Sequence, residues 1–239
     1  VQAYYRGVGE EDLQARDCAA FAASAAGTLK FGAMRPAGEP RVRVFNPQLA
    51  RDGWESPHTT VEVVTEDMPF LVDSLAVVLS DSRLPIQLMI HPVLRIARDR
   101  RGKLLSMEEH DSSLGTMESW QHVAVPRIGD PARHEALSQN ILRMLEDVRL
   151  AVSDWPAIRQ RALDIARDVN AGVPAIPRRE EKEAVEFIEW LADNHFTFLG
   201  YREYKLERTR SVDRLVPVPR SGLGLLRTGK GRPQPKPTV

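Results

Sequence analysis

The sequence has only one cysteine, Cys18, and no excess of charge of either sign. Lys plus Arg number 33 and Asp plus Glu also number 33, so there is no general electrostatic attraction to nucleic acid or to an anionic membrane. A lone cysteine cannot close an internal disulfide, and its Ala-rich, helix-forming surroundings predict a small buried thiol. The single cysteine favours a reducing compartment, and the balance of charges predicts no nucleic-acid partner.

Long apolar runs are also missing. No run reaches the roughly 18 apolar residues of a membrane-spanning helix, and the first residues lack the basic-then-apolar order of a secretory signal. We therefore expect a cytoplasmic location and no membrane partner. The 239 residues, 42% hydrophobic and 28% charged, are typical of one large or two small globular domains. We interpret the chain, which ends in a proline-rich stretch, as a piece of something longer.

Motifs that carry catalysis or bind cofactors are incomplete or absent. Gly222–Arg227 (GLGLLR) begins like a G-x-G-x-x-G fingerprint, but Arg227 replaces the third glycine. The six histidines are far apart and lack a metal-ligand spacing. Glu108–Asp111 (EEHD) is a conceivable acid–base cluster, although a solvated acidic loop is the simpler interpretation. Three serines lack a nucleophile turn and are interpreted as loop residues: Ser112, Ser113 and Ser119. We predict no catalytic, cofactor-binding or metal-binding residue here.

The most informative block is a strand, a helix and a second strand. Thr60–Thr65 (TVEVVT) is rich in β-branched residues, as strands are. Asp67 is expected near the N-cap of the following helix, with Pro69 in its first turn. Apolar residues then recur at helical spacing, at Leu71, Leu75, Val78 and Leu79. Ile86–Ala97 predicts the second strand, bent at its proline.

Further elements flank this block. A helix is predicted over Glu10–Ala26, where Gly27 stops it, and alternation predicts three more strands: Arg41–Phe45, Leu104–Met107 and Trp120–Pro126.

The C-terminal part is predicted to be mainly helical. Apolar spacing predicts one helix over Leu137–Val152, and Asp154 with Pro156 opens another, which could pair with the first or extend it. Glu180–Asn194 predicts a further helix, and Phe196–Leu206 a strand that begins a second α/β unit. The residues expected to face inward on this last helix are Ala184, Phe187, Ile188 and Leu191.

Several stretches together resemble the N-terminal region of the large bacterial NAD-specific glutamate dehydrogenases. They are YYRGVGEEDL, VVTEDMPFLVDS, IQLMIHPVLRIARD, ESWQHVAVPRI and FIEWLADNHFTFLGYREYKL. Within them, the block from the TEDMP turn onward is similar to the opening β-α-β of an ACT domain. The resemblance extends over nearly the whole chain.

The resemblance implies an α+β fold with a ferredoxin-like ACT-type β-α-β domain, a helical connector and the start of a second α/β unit. The implied divisions are an N-terminal helical segment (1–35), the ACT-like domain (36–128), the connector (129–175) and the second unit with a flexible tail (176–239). The parent enzyme would use NAD to deaminate L-glutamate oxidatively to 2-oxoglutarate and ammonium, with its catalytic and cofactor domains far C-terminal. This segment would be non-catalytic and hold no cofactor.

ACT domains often bind amino acids at the first strand-to-helix turn, between paired domains. The implied effector-binding positions are Asp67, Met68, Pro69, Phe70 and Asp73. Ligand-binding ACT turns usually have glycine where this chain has Phe70, whose ring would fill the space that a ligand needs. The expected partners are the remainder of the parent polypeptide, further copies in a homo-oligomer, and an amino-acid or small-metabolite effector.

Two other functions remain as alternatives. The segment could be a purely structural oligomerisation module, in which Phe70 closes the pocket and exposed edges join subunits. An independent enzyme would have to rely on scattered acids and histidines.

Overall fold

A computed structural model describes residues 2–5, 9, 18–108, 115–172, 177–208 and 213–227. The chain divides into two compact units, Val1–Glu146 and Asp147–Val239. In chain order, the elements of the first unit are α1 (Gln2–Tyr5), α2 (Cys18–Gly32), β1 (Arg41–Phe45), α3 (Leu49–Asp52), β2 (Thr59–Glu66), α4 (Leu71–Asp81), β3 (Leu88–Ile90), β4 (Val93–Arg98), β5 (Leu104–Glu108) and β6 (Thr116–Val125). Helix α5 (Pro131–Asn170) begins in this unit and ends in the second. The predicted domain boundaries stay predictions.

The first unit is built on a six-stranded antiparallel sheet. Its order is β1-β2-β6-β4-β5, and β3 pairs with β6 next to β4. The predicted strands therefore form, and the α+β class is confirmed. The predicted bend of Ile86–Ala97 is confirmed as well, because β3 and β4 are separated at His91 and Pro92, where proline cannot donate to the ladder.

The two central strands are buried on both faces. On one face, Trp120 and Val64 pack with Leu94 and Ile96 in an apolar cluster. The Trp120 ring lies against α2 at Gly32, where an added Cβ atom would collide with it. Strand β6 begins at Thr116, four residues before the predicted start, so Ser119 is a buried strand residue and the loop interpretation is wrong.

The observed helix α2 differs from the sequence-based predictions in two respects, its end and the burial of Cys18. Its described part runs from Cys18 through Gly27 to Gly32, so Gly27 does not stop it; residues 10–17 of the predicted helix lie outside the described residues. The helix continues because its buried face, formed by Ser24, Thr28 and Gly32 at four-residue spacing, continues. Cys18 is exposed rather than buried, because it starts the described helix ahead of this face.

Helix α5 is a single helix of 40 residues with Pro156 inside it. The second of the two predicted helices therefore extends the first. Proline lacks the amide that would bond four residues back, to Val152, yet the flanking turns remain helical. Asp154 consequently lies within a helix, and its predicted capping role is wrong.

The second unit combines the end of α5 with short elements. They are α6 (Arg178–Trp190), a π-helical turn (Leu191–His195), β7 (Gly200–Tyr201), β8 (Tyr204–Arg208), β9 (Asp213–Pro217) and β10 (Leu223–Gly224). The strands form two antiparallel pairs, β7 with β10 and β8 with β9. The predicted strand Phe196–Leu206 is thus divided, and its first four residues are not strand. On α6, Ala184 and Phe187 are exposed, so their predicted inward orientation is wrong.

Among the helices of the described residues, none is both long enough and apolar enough to cross a membrane.

Candidate functional site

The turn between β2 and α4 contains four of the five predicted effector residues, Asp67, Met68, Pro69 and Phe70, and the fifth, Asp73, lies in the first turn of α4. The amide of Asp67 donates to the carbonyl oxygen of Met117 at 2.9 Å, which extends the pairing of β2 with β6 by one residue. Met68 is half-buried, and the other four are exposed. The structure thus brings the five together at a solvent-facing end of β2, and their role in binding stays a prediction.

Phe70 adopts a backbone conformation that glycine favours. Its φ is 71° and its ψ is 4°, in the left-handed region, and it is the N-cap of α4. The helix therefore begins at Leu71, so the predicted cap at Asp67 and the placement of Pro69 inside the first turn are wrong. The reversal at Phe70 separates both residues from the helix. The Phe70 side chain is 45% exposed.

The first turn of α4 offers amides to a ligand. The first amides of any α-helix have no partner within the helix, and no side chain caps this one. The first intrahelical bond runs from the Ser74 amide to the Phe70 carbonyl oxygen at 2.9 Å. Such amides and the helix dipole attract a carboxylate, although a helix start alone does not make a site.

A buried polar cluster lies on the strands that lead into this turn. Thr65 faces Ser119 across β2 and β6, and Gln121 follows two residues along on the same face. The Gln121 side-chain amide donates to Ser119 Oγ at 3.2 Å. Thr65 Oγ1 and Gln121 Oε1 are buried and find no hydrogen-bond partner among the described residues. Buried polar atoms are normally bonded, so these two are unusual among the buried side chains of the sheet.

Sequence reasoning overlooked this cluster. Its signal was short, since around this cluster polar and apolar residues alternate only over Ser119, Trp120 and Gln121. Alternation is usually interpreted as one solvent-facing side, whereas both sides of β6 are buried.

The opposite face of the sheet holds a buried carboxylate, Glu62. Its oxygens accept from Arg43 Nε at 2.5 Å and from Thr28 Oγ1 at 2.7 Å, and His122 Nδ1 lies 3.4 Å away. The Tyr4 hydroxyl lies 2.9 Å from Thr28 Oγ1. Burial opposes ionisation of Glu62, but the hydrogen bonds and charges of His122 and Arg43 outweigh it and lower its pKa. Burial also raises the pKa of Tyr4 well above its ordinary value.

A second buried carboxylate, Glu118, binds two guanidinium groups. Arg98 donates twice, at 2.7 and 2.8 Å, and Arg35 donates once, at 2.8 Å. The Trp120 indole N–H completes the set at 3.2 Å. Burial raises the pKa of Glu118, but the two arginines lower it further than burial raises it. Both carboxylates are thus ionised and fully engaged, which suits them to fixing strands and helix rather than to transferring protons.

In the second unit, Asp154 binds the incomplete glycine fingerprint. It accepts from the Gly224 amide at 2.7 Å and from Arg227 Nε at 3.0 Å, and Arg227 Nη2 reaches its other oxygen. Arg227, which replaces the third glycine, thus has a partner within the unit, and this loop is packed onto α5 by an ion pair.

The candidate acid–base cluster and the serines after it lie mostly outside the described residues. Glu108 ends β5, whereas Glu109, His110, Asp111, Ser112 and Ser113 lie outside the described residues. Within the described part of the chain, no group of three or more His, Cys, Asp or Glu side chains is placed to hold a metal ion.

Comparisons with known proteins bear on the same region. A family model described as glutamate dehydrogenase, ACT1 domain, matches residues 1–141. An NAD-specific glutamate dehydrogenase of Halomonas elongata is 38% identical over 197 residues, and one of Pseudomonas aeruginosa is 35% identical over 191. One of Mycobacterium tuberculosis is 28% identical over 207 residues. These matches cover 81%, 79% and 84% of this chain, but the chain spans only 12% of the length of each relative.

The antiparallel sheet, the β2–α4 turn and the extent of the family match define the first unit as an ACT-type α+β domain. The chain belongs to the glutamate dehydrogenase ACT1 domain family. The resemblance stated from the sequence motifs is therefore confirmed.

Proposed function

We propose that this chain is a non-catalytic regulatory and assembly segment of an NAD-specific glutamate dehydrogenase. The single observation that carries the proposal is the match of residues 1–141, nearly all of the first unit, to the ACT1 domain of that family. The parent enzyme, located in the cytoplasm, would convert L-glutamate to 2-oxoglutarate and ammonium with NAD bound in a domain outside this chain. The remainder of that polypeptide and further copies of it are the expected partners.

The finer fold assignment, a ferredoxin-like domain followed by the start of a second α/β unit, belongs to the same proposal. Strands β2 and β4 are joined through α4, yet β6 lies between them in the sheet. This split β-α-β arrangement supports the ferredoxin-like assignment. The short strand pairs of the second unit support the view that its sheet is only begun here.

The proposed effector is an amino acid bound at the β2–α4 turn. The first amides of α4 would receive its carboxylate, and Asp67 or Asp73 would pair with its ammonium group. The unsatisfied oxygens of Thr65 and Gln121, buried in the strands that lead into the turn, support a polar binding region there. Phe70, whose ring is exposed, leaves the backbone of the turn in the conformation that a glycine would give it.

A structural oligomerisation module is the second candidate. It is favoured by β1 and β5, which are the outer strands of the sheet and leave main-chain groups open to pairing. This alternative requires no ligand, so the two candidates differ in their response to small molecules.

The test uses the parent enzyme. Its thermal stability and its rate of glutamate oxidation would be measured against a panel of amino acids, for wild type and for Asp67→Asn. A matched control is Asp81→Asn, an exposed aspartate at the other end of α4. We expect a saturable shift that Asp67→Asn weakens and Asp81→Asn retains, because a ligand of the folded state raises its stability. No shift with any amino acid would favour the structural module.

A further inference from the structure

We propose that the exposed aromatic rings on and after α6 form a docking face for a segment of the parent polypeptide that lies outside residues 1–239. This aromatic face consists of Phe187, Trp190 and His195, whose exposed rings stack one after another. The inference rests on the proposed function, since it takes this chain as one part of a longer enzyme.

The rings of the aromatic face are already arranged for contact. Phe187 and Trp190 stack with their centroids 6.2 Å apart and their planes 16° from parallel. Trp190 and His195 stack at 4.6 Å and 19°, and His195 Nδ1 lies 3.0 Å from the Trp190 carbonyl oxygen. Mutual stacking restricts the rotamers of these side chains, so little conformational entropy remains to be lost when a partner covers them.

Helix α6 leaves its two aromatic residues exposed. An amphipathic helix on a finished domain buries its apolar stripe and exposes its charges. Here Phe187 is 58% exposed and Trp190 50% exposed, whereas Glu181 is only 4% exposed and is bound by Arg178 at 2.7 Å. The covered side of α6 holds Glu181 with the half-buried Val185 and Ile188, and the described residues leave the aromatic side open. Aromatic side chains exposed on one side of a helix are suited to packing against another surface.

The border of the aromatic face is charged. Glu183 and Glu186 lie four residues before Phe187 and Trp190, so they neighbour these rings on the helix surface. Each carboxylate forms an exposed ion pair, Glu183 with Arg179 at 3.1 Å and Glu186 with Lys182 at 3.7 Å. The partner that fits this face has apolar side chains at its centre and polar or charged side chains at its edge, as a folded segment of protein does.

The size of the face favours a segment of the same polypeptide over a second copy. Aromatic side chains bury about 150–250 Å² each, so three rings that are about half exposed offer roughly 200–400 Å². A stable complex of separate chains needs about 800 Å² on each side. A covalently linked segment needs less, because its effective concentration reaches roughly the millimolar range. The relatives, of which this chain spans 12%, have ample further chain to supply it.

The experiment is hydroxyl-radical footprinting of the intact parent enzyme, with each residue normalised to its oxidation rate in the unfolded enzyme. We expect Phe187 and Trp190 to be oxidised about tenfold more slowly than half-exposed rings allow, because a docked segment excludes solvent from them. Leu49, 62% exposed in the first unit and outside the proposed effector turn, is the reference for a side chain of similar exposure. Oxidation of Phe187 and Trp190 at the rate expected from their exposure would overturn the proposal.

Two further measurements identify the occupant. In the Trp190→Ala enzyme, hydrogen exchange should rise about tenfold in one segment outside residues 1–239, which is the docked segment. Protection that disappears when the enzyme is diluted to monomers would show a second copy and contradict the proposal. Glutamate oxidation by the wild-type enzyme is assayed in parallel, so that failure of the proposed function is recognised separately from failure of docking.

Discussion

The first unit buries charge inside its sheet, whereas the second leaves aromatic rings in solvent. Glu62 and Glu118 are fully buried, and each is held by arginine and by other donors that come from distant parts of the chain. On α6, by contrast, the ion pairs of Glu183 and Glu186 are exposed, and Phe187 and Trp190 stack on each other. The comparison teaches that the first unit is closed by its own contacts, whereas the second would gain further contacts from the proposed docking.

The largest expected effect comes from breaking a buried charge network. Glu118→Ala would leave the guanidinium groups of Arg35 and Arg98 buried without their shared carboxylate. We expect a loss of about 3–5 kcal/mol in the unfolding free energy of the first unit, measured by urea denaturation. Glu183→Ala removes an exposed carboxylate of α6 and should change little, because solvent screens such pairs. Similar losses in both variants would contradict the contrast between the units.

Acid should weaken the same networks without a mutation. Because the pKa values of Glu62 and Glu118 are lowered in the folded protein, the unfolded chain binds protons first as the pH falls. The stability that these groups contribute is therefore complete above the ordinary glutamate pKa of about 4.3 and is lost as the pH falls through the lower folded values. The loss should be smaller than in Glu118→Ala, since protonation leaves both side chains in place. Urea midpoints between neutral and acidic pH measure it, and Glu118→Gln should show a shallower dependence.

The strands and the first crossover were predictable from the sequence because their signals are local. Alternation in Arg41–Phe45 gives β1 its observed bounds, and the four-residue spacing of Leu71, Leu75 and Leu79 gives the buried face of α4. The carboxylate networks were not predictable, since Glu118 meets Arg35 across 83 residues and no local pattern joins them. On α6, helical periodicity placed Ala184 and Phe187 inward and the structure exposes both, because periodicity carries no information about which side of a helix its surroundings cover.

A smaller effect tests how tightly the closed unit is packed. In Gly32→Ala, the new methyl group would meet the Trp120 ring, which is held on its other side by the apolar cluster of the sheet. We expect a loss of about 1–3 kcal/mol from overpacking, measured by thermal or urea unfolding. Gly27→Ala, in the same helix, is the control. Its methyl group would have ordinary contacts, the nearest being Trp54 Nε1 at 3.7 Å, so better helix propensity should stabilise the protein by about 0.5–1 kcal/mol.

The smallest effect concerns the turn where the closed unit is strained. At an ordinary helical position alanine is more stable than glycine by about 1 kcal/mol. At Phe70, where φ is 71°, the order should reverse, because a side chain in the left-handed region costs about 1 kcal/mol that glycine avoids. Comparing Phe70→Gly with Phe70→Ala by urea unfolding isolates the cost of a side chain in the left-handed region, since both variants lose the same ring. If the alanine variant were the more stable of the two, the left-handed turn would not exist in solution. The backbone geometry proposed for the effector site would then be wrong as well.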